Sequence, residues 1–600
     1  MESSSQAGPS KVPPPSIDIP TKPAPPLPTS TSRPRAASKA ASAQSKSLAD
    51  PVLRNAIRYT MSPREYESLH KYVLSRSRVL RRRAPSVLAV EKYAESGSDE
   101  AAKGAKAVRH ALRVFVATNL GVKAYDMVMA RVKGQKDLTP NKKEPFYKSS
   151  TLRLSLSLST ILLLYRLLFR FLGRLRMHLL EPSSEPFRAR NPRTAQTLTS
   201  PYAPAIGASL AGFALGIYPS QQLRVSVAVY TLFRALEFGW NLLEGEGLIW
   251  GWKPKPQARG TANNKDGSAG GGMVKRERPW WWGSWMLQPF AFGQLLHAVT
   301  FDRECSPVPY VDYIWKSTST YLHGPPRDLP AGVKWPGPWD VADSLAQMAK
   351  LNWPPFVSPA LFPNQETLPA SLTQLAPLTS QAHPLITSLS CATLHGADPS
   401  CLRTYLTFWV RSFPRIGRAL LVLYSLFLLP RYRSLYNAPM AVFSKLLTQT
   451  LRLTTFVTGA ISTAWASICF FQTWFPQHFL ATQRFFLGGF LAGFWGFIQR
   501  KQGRGIFLYS ARTSVDSLWK VGVKRRWWKA MKGGDLWVFV VALAVTGAVY
   551  ERDAKAVREA GWRKGVSWVR GTEWRDWGVE EDEDEDGSHE EGMLGGGKEE

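Results

Sequence analysis

The stretch from Leu453 to Phe475, LTTFVTGAISTAWASICFFQTWF, contains 23 residues and no charged side chain. As an α-helix it is about 34 Å long at about 1.5 Å per residue. That length is enough to cross a hydrocarbon core of about 30 Å. Trp474 and Phe475 stand at one end, where aromatic side chains favour the membrane surface. The stretch therefore predicts a transmembrane helix.

Eight further apolar stretches of 14 to 21 residues accompany it, at 154–172, 203–219, 223–243, 281–300, 416–430, 485–498, 506–522 and 536–550. Several contain an Arg or an Asp, which a bundle of membrane helices tolerates when the charge faces inward. Together with the uncharged stretch they predict an all-α fold, a polytopic transmembrane bundle with six to eight membrane helices.

Composition divides the rest of the chain. Ten of the first 34 residues are proline, and seven consecutive acids run from Glu580 to Asp586, so we expect disordered tails at both ends. The net charge of +31 and the 44% of apolar residues exclude an acidic enzyme-like surface and a fully disordered chain. The predicted regions are a Pro/Ser-rich tail (1–50), a basic helical region (51–145), a first membrane module (146–300), a Pro/Trp-rich loop (301–403), a second membrane module (404–552) and an acidic tail (553–600).

The sequence contains an internal repeat. Residues 206–240 and 487–519 both contain the tetrapeptide Leu-Ala-Gly-Phe, at 210–213 and 491–494. In each copy a short polar turn follows, and then a helix with Tyr, Arg, an acid and Trp in that order. Each copy therefore predicts a helix–turn–helix hairpin, so the fold has a duplicated Gly-rich hairpin.

Small residues recur every four positions on the first helix of each hairpin. They let helix backbones approach closely within lipid, where water expulsion cannot drive association. We therefore predict a helix-packing interface formed by Ala208, Gly212 and Gly216 in the first copy and by Gly488, Gly489, Ala492, Gly493 and Gly496 in the second.

The second helix of each hairpin carries a cation and an acid one turn apart. These are Arg234 with Glu237, and Arg512 with Asp516. Both spacings place the two charges on one helix face. An unpaired charge at mid-membrane costs at least about 2.5–3.5 kcal/mol, so we expect intramembrane charge pairs. They either line a polar seam between the hairpins or hold the two repeats together.

Cys391, His395 and Cys401 lie close together in the sequence. A zinc ion, a Cys391–Cys401 disulfide and free thiols all remain open for them. A structural zinc site needs four ligands, so Cys305 or His383 would have to complete the set. A disulfide would require an oxidising compartment. We assign no metal and no cofactor from the sequence alone.

The paired small-residue hairpins, with an arginine in the second helix, resemble the mitochondrial inner-membrane translocase (Tim) proteins and related peroxisomal membrane proteins. More specifically, the layout of about residues 200–525 is similar to the transmembrane protein 135 family. Segment 391–401 is similar to its signature Cys-x-x-x-His-Pro-x-x-x-Ser-Cys, with Gly396 in place of proline. The resemblance implies a polytopic membrane protein of mitochondria or peroxisomes, linked to organelle dynamics and lipid handling, without established catalysis.

No catalytic motif stands out: the Walker A, nucleophile-elbow, HExxH and Rossmann patterns are missing from the sequence. The basic and aromatic segments 280–285 and 524–529 adjoin predicted membrane helices, so we expect contact with anionic lipid headgroups rather than nucleic acid. The lipid bilayer is the expected partner, with membrane proteins or a second copy of the chain as further ones. We predict a non-enzymatic organelle membrane protein. A translocase-like channel or carrier and a soluble basic nucleic-acid-binding protein are the alternatives.

Overall fold

The computed structural model describes residues 51–72, 74–76, 85–88, 90–91, 99–132, 149–254, 273–318, 321–322, 333–362, 368–428 and 432–579. Among these residues the strands are two short antiparallel ones, β1 (Trp252–Pro254) and β2 (Met273–Lys275), and most of the remainder is helical. The all-α prediction is confirmed. The predicted tails at 1–50 and 580–600 lie outside the described residues.

The chain divides into two compact units, Met1–Arg109 and His110–Glu600. The helices, in chain order, are α1 (Pro51–Thr60), α2 (Pro63–Tyr72), α3 (Asp99–Val132), α4 (Ser150–Leu180), α5 (Glu185–Arg190), α6 (Pro192–Thr199), α7 (Ala203–Ala208), α8 (Gln221–Gly245), α9 (Leu287–Phe301), α10 (Val308–Ser317), α11 (Pro338–Lys350), α12 (Ala376–Thr379), α13 (Leu389–His395), α14 (Cys401–Leu428), α15 (Tyr432–Asn437), α16 (Pro439–Trp474), α17 (Arg484–Gly493), α18 (Arg504–Lys524), α19 (Gly534–Arg552) and α20 (Ala560–Arg570).

Three of these helices, α4, α16 and α19, are long and apolar enough to cross a membrane, and the shorter segment Ala203–Ile217 is also apolar. The predicted uncharged stretch 453–475 coincides with the second half of α16. Of the six to eight predicted membrane helices, three therefore have the length and hydropathy that a membrane crossing requires. The other predicted stretches form helices that are shorter or carry charges, such as α8 with Arg224, Arg234 and Glu237.

The two predicted hairpins have the same order of elements. In each, a short α-helix continues into a tighter 3₁₀ segment, a turn follows, and a longer α-helix begins. The first copy consists of α7, the 3₁₀ segment Ser209–Ile217 and α8. The second consists of α17, the 3₁₀ segment Phe494–Gln499 and α18. The change to 3₁₀ geometry falls in both copies at the small-residue positions.

Each hairpin packs against two helices, one of which comes from the opposite half of the second unit. The first hairpin packs on α4, which precedes it, and on α19, which follows the second hairpin. The second packs on α16, which precedes it, and on α9, which follows the first hairpin. The hairpin helices α8 and α18 also touch each other. The result is two four-helix groups. The first consists of α4, α7, α8 and α19, and the second consists of α16, α17, α18 and α9, so each contains one helix from the opposite half of the unit.

The prediction of a loop at 301–403 is wrong for much of this region. Its described part contains α10, α11, α12 and α13 and contributes most of the largest buried apolar cluster. The ring of Tyr321 stacks on Trp465 of α16 with centroids 5.8 Å apart, and Trp353 donates a hydrogen bond of 3.1 Å to the carbonyl of Ala481. The aromatic residues that suggested a loop are ordered because α16 offers them an apolar surface.

The acidic tail begins later than predicted. Residues 553–579 contain α20, and Val557 of this segment lies in a buried cluster with Phe238 of α8 and Val549 of α19. Arg563 and Asp576 form a two-point ion pair within the segment, with one N–O distance of 3.0 Å. The consecutive acids begin only after residue 579. The composition of 553–600 taken as a whole therefore did not reveal that its first part is folded.

Candidate functional site

The small residues of both hairpins lie where helices approach closely. A Cβ atom added at Gly489 would be 2.4 Å from the carbonyl oxygen of Phe292 on α9, and one added at Gly493 would be 2.3 Å from the Cα of Pro289. In the first hairpin, a Cβ at Gly212 would be 3.0 Å from side-chain atoms of Phe539 on α19. The remaining predicted positions are equally close-packed: Gly216 on Leu536, Gly488 on Ser467, Gly496 on Gln288, with Ala208 and Ala492 buried.

The first predicted charge pair forms, and it belongs to a larger network. Arg234 Nη1 lies 3.0 Å from Glu237 Oε2 and 3.2 Å from Glu559 Oε1. The second oxygen of Glu237 accepts from Arg504 of α18 at 2.7 Å. Glu237 therefore joins the second helices of the two hairpins, α8 and α18, through an arginine that the sequence analysis did not select.

The second predicted pair does not form. Asp516 Oδ2 lies 2.6 Å from Lys520 Nζ, one turn along the same helix, at a partly exposed position. Arg512 instead lies over the ring of Tyr230 of α8, with its guanidinium carbon 5.2 Å from the ring centroid. Arg512 thus also bridges α18 to α8, but through a cation–π contact. The correction is that the polar contacts across the seam include the Glu237–Arg504 ion pair, a hydrogen bond from Arg504 to Asn241 and the cation–π contact of Arg512.

A second carboxylate, Glu244 at the end of α8, is surrounded by donors. Its oxygens accept from Arg278 Nε at 2.8 Å, from Arg558 at 3.0 Å and from the Trp250 indole at 3.1 Å. Burial raises the pKa of Glu244, but the hydrogen bonds from Arg278 and Trp250 and the two arginine charges lower it more, so its pKa lies below the usual value. The carboxylate stays ionised and ties α8 to the segment after α19.

The Cys/His segment meets a third cysteine. The side-chain ligand atoms of Cys391, His395, Cys401 and Cys469 all lie within 4.8 Å of one another. Cys391 and His395 are on α13, Cys401 begins α14, and Cys469 lies near the end of α16. The Cys391 and Cys401 sulfurs are 4.0 Å apart, and His395 Nε2 is 3.4 Å from Cys469 Sγ. The fourth member is therefore Cys469, rather than Cys305 or His383 as expected.

The contacts within the cluster shift the pKa values of two of its members. Burial lowers the pKa of His395, but hydrogen bonds to Cys391 and Cys401 raise it more, to about 10. Hydrogen bonds with Cys391, Cys469 and His395 lower the pKa of Cys401 far below its usual value. Both shifts arise mainly from the close approach of the four side chains.

An apolar cavity of about 190 Å³ lies in the second four-helix group. Its walls come from α9, α10, α11, α16, α17 and α18, with Leu295, Ala460 and Ile461 among the lining residues. Gln288 is the main polar residue at the cavity. It is fully buried and donates to Ser510 at 3.0 Å, while its Oε1 atom has no hydrogen-bond partner among the described residues.

The basic and aromatic segment 524–529 is partly used within the protein. Arg525 and Lys524 lie 2.6 Å and 3.6 Å from the carboxylate of Asp302, a buried residue at the end of α9. Trp528 stacks on Trp519, whereas Trp527 remains exposed. The inner two cations of the segment therefore fix the end of α18 to α9, and Trp527 is open to a partner.

In three comparisons, no family model, no curated protein and no solved structure matches the chain. Over the described residues, the fold and sites define an α-helical protein with three helices of membrane-crossing length, a partly buried ion network, a thiol–imidazole cluster and an apolar cavity.

Proposed function

We propose that this chain is a non-enzymatic, multi-pass membrane protein of mitochondria or peroxisomes, similar to the transmembrane protein 135 family, that acts in membrane organisation or lipid handling. The observation that carries the proposal is the buried apolar cavity of about 190 Å³ between helices that include the membrane-length helix α16. Such a cavity suits the hydrocarbon chain of a lipid.

Exposed apolar faces support the membrane placement. A soluble protein rarely exposes a large continuous apolar patch, whereas lipid favours one. Large apolar side chains point outward along three long helices: Leu167 and Phe171 on α4, Val410, Val422 and Phe427 on α14, and Phe443 and Leu447 on α16. Glu237 of α8 and Arg504 of α18 instead pair with each other, as expected of charged residues within a helical bundle.

The two four-helix groups support a duplicated architecture. Each consists of a long apolar helix, a hairpin that passes from α to 3₁₀ geometry, and a last helix from the other half of the unit. The exchange of last helices makes each group incomplete without the other, so a duplication of this kind would form one stable body. The Glu237–Arg504 ion pair of 2.7 Å lies at the junction of the groups.

The orphan acceptor Gln288 indicates the kind of lipid. A buried polar atom without a partner costs about 1–3 kcal/mol, and a ligand that donates a hydrogen bond to Gln288 Oε1 recovers this cost. A single-chain lipid with a hydroxyl or a protonated carboxyl group offers both an apolar chain for the walls and one donor for Gln288. The proposed cargo or structural ligand is therefore a lipid of this class.

Lipid retention tests the proposal. The full chain, purified in mild detergent, is expected to carry a single-chain lipid that native mass spectrometry detects. Filling the cavity with Ala460→Phe is expected to remove the bound lipid, whereas Val422→Phe, an enlargement on an exposed face of α14, leaves it bound. Absence of lipid from the unaltered, monodisperse protein would contradict the proposed function.

A translocase-like channel or carrier is the second candidate, and the ion network between the hairpins favours it. Arg234, Glu237 and Arg504 form a polar path of charges between α8 and α18. Conductance or solute flux through the protein in planar bilayers or liposomes, abolished by Arg504→Gln, would support this candidate. If membranes that contain the protein stay impermeable to ions and solutes, lipid handling remains the proposed function.

A further inference from the structure

We propose that Cys391, His395, Cys401 and Cys469 bind one structural Zn²⁺ ion. Three thiols and one imidazole form one of the usual ligand sets of closed, tetrahedral zinc sites. Three of the four cysteines in the chain meet at this point: Cys391 and Cys401 come from one short segment, and Cys469 comes from a distant helix. The proposal is independent of the lipid function, because it rests on a different group of residues.

The distances fit a single tetrahedral ion. Two sulfurs that are each about 2.3 Å from a zinc ion lie about 3.8 Å apart, and a sulfur and an imidazole nitrogen lie about 3.5 Å apart. The corresponding distances here are 4.0 Å between Cys391 and Cys401 and 3.4 Å between His395 Nε2 and Cys469 Sγ. All four ligand atoms lie within 4.8 Å of one another, so small side-chain adjustments would bring them to the distances of a single bound ion.

The histidine is oriented for this role. His395 is buried, and its Nδ1 lies 2.8 Å from the carbonyl oxygen of Asp398. When Nδ1–H donates to that carbonyl, the lone pair of Nε2 points to the thiols. Metal-binding histidines almost always have such a second hydrogen bond, because it sets the tautomer and the ring orientation.

A buried hydroxyl in the same apolar cluster as the cysteines is a second indication. Tyr321 is almost fully buried, and its hydroxyl has no hydrogen-bond partner among the described residues. Its electrostatic neighbours include Cys469, Tyr405 and Cys401. A zinc ion with three thiolates would carry a net negative charge, which a nearby hydroxyl donor stabilises. A bound metal would therefore give this hydroxyl a favourable electrostatic partner.

Two other cysteine chemistries fit the geometry less well. A disulfide requires sulfurs about 2.05 Å apart, and a Cys391–Cys401 bond would leave His395 and Cys469 facing each other without an ion. An iron–sulfur cluster is also bound by cysteine and histidine, but a [2Fe–2S] cluster spreads its ligands over two irons. The compact set here matches one metal ion.

The ion would join three helices of the chain. Cys391 and His395 belong to α13, Cys401 starts α14, and Cys469 is fixed on α16. The three cysteines lie in or against the largest apolar cluster, whose aromatic residues come from 301–403 and α16. Zinc therefore holds the folded 301–403 region against the membrane-length helix, and its binding energy contributes to folding.

Metal analysis of the full chain, purified in detergent without chelators, tests the proposal. About one zinc ion per chain is expected for a single closed site. His395→Ala and Cys469→Ser should each reduce the zinc content to a small fraction. Cys305→Ser is the matched control, because Cys305 is also buried but packs with Ala298 and Val521, and it should retain the full amount. Iron in place of zinc, or equal zinc in all variants, would overturn the proposal.

A second measurement holds even if the ligand variants fail to fold. Unaltered protein exchanged with Co²⁺ should develop the visible absorption bands of a tetrahedral thiolate–cobalt site, and added Zn²⁺ should abolish them. Alkylation followed by mass spectrometry should find Cys391, Cys401 and Cys469 protected until a strong chelator is added. Folded protein with no bound metal and with these thiols reactive throughout would contradict the proposal.

Discussion

The Nε2 atom of His395 lies 3.4 Å from the Sγ atom of Cys469, although the two residues belong to different helices far apart in the sequence. Cys469 lies on a helix of membrane-crossing length, and His395 lies in the region between the two predicted membrane modules. Their contact shows that this region packs on α16 at a defined point. It also brings together the four residues that we assign to a zinc ion.

Tyr321→Phe is expected to weaken zinc retention without abolishing binding. The substitution removes only the hydroxyl of a side chain in the same apolar cluster as the cysteines, and loss of an outer hydrogen-bond partner lowers metal affinity by about 10- to 100-fold. Competition with a chromophoric chelator measures the change. The zinc content before competition should stay the same as in the unaltered chain. An unchanged affinity would show that the hydroxyl does not support the thiolates.

Gly489→Ala is expected to destabilise the protein. The added Cβ would lie 2.4 Å from the backbone oxygen of Phe292, so α9 and α17 must move apart. Overpacking of this kind typically costs about 1–3 kcal/mol. Gly239→Ala is the matched control, since nothing lies within 4 Å of a Cβ at that helical position, and alanine is the better helix former. Melting midpoints in detergent measure both, and equal midpoints would contradict the close-packed interface.

The Glu237–Arg504 pair is expected to couple the two hairpins. Glu237 is nearly buried and Arg504 is about one-third exposed, so we expect a coupling free energy of about 1 kcal/mol from a double-mutant cycle. Glu237→Gln and Arg504→Gln, singly and together, provide the cycle. Asp516 and Lys520 form an exposed pair within one helix and serve as the control, for which about 0.3–0.5 kcal/mol is expected. Additive effects at Glu237 and Arg504 would exclude the coupling.

Ionisation of Glu244 is expected to make the stability of the folded protein depend on pH. The arginines Arg278 and Arg558 hold its folded-state pKa below the usual value, which is about 4.3 in an unfolded chain. Its contribution is therefore present above about pH 4.3 and is lost as the pH falls through the lower, folded-state pKa. The melting midpoint of the unaltered chain should drop more steeply in this range than that of Glu244→Gln. Parallel pH profiles would contradict the role of Glu244.

The sequence predicted those features that depend on local pattern. An uncharged apolar run marks α16, and two apolar stretches mark α4 and α19, because hydropathy along a helix is a local property. The hairpins were also recognisable, since Leu-Ala-Gly-Phe and the residues after it occur twice. The packing of α9 on the second hairpin and of α19 on the first was not recognisable, because neither segment's own sequence shows which distant helix it packs against.

Cys469 was missed for a physical reason. A cysteine within an apolar helix is indistinguishable from other small apolar residues, and its neighbours are all uncharged. The small number of cysteines could have indicated it. The chain has only four, so Cys469 was as good a candidate for the fourth ligand as Cys305. Arg504 was missed because it opens α18, one turn before the repeated Tyr-Arg-acid-Trp pattern, so the repeat itself drew attention to Arg512.

Alkaline carbonate extraction of mitochondrial and peroxisomal membranes from cells that express the tagged full chain tests the central claim most directly. Integral membrane helices keep their place when carbonate strips proteins held by charge alone. The account predicts that the chain stays in the membrane pellet at high pH and high salt and is released only by detergent. Recovery of the chain in the carbonate or salt supernatant would contradict it.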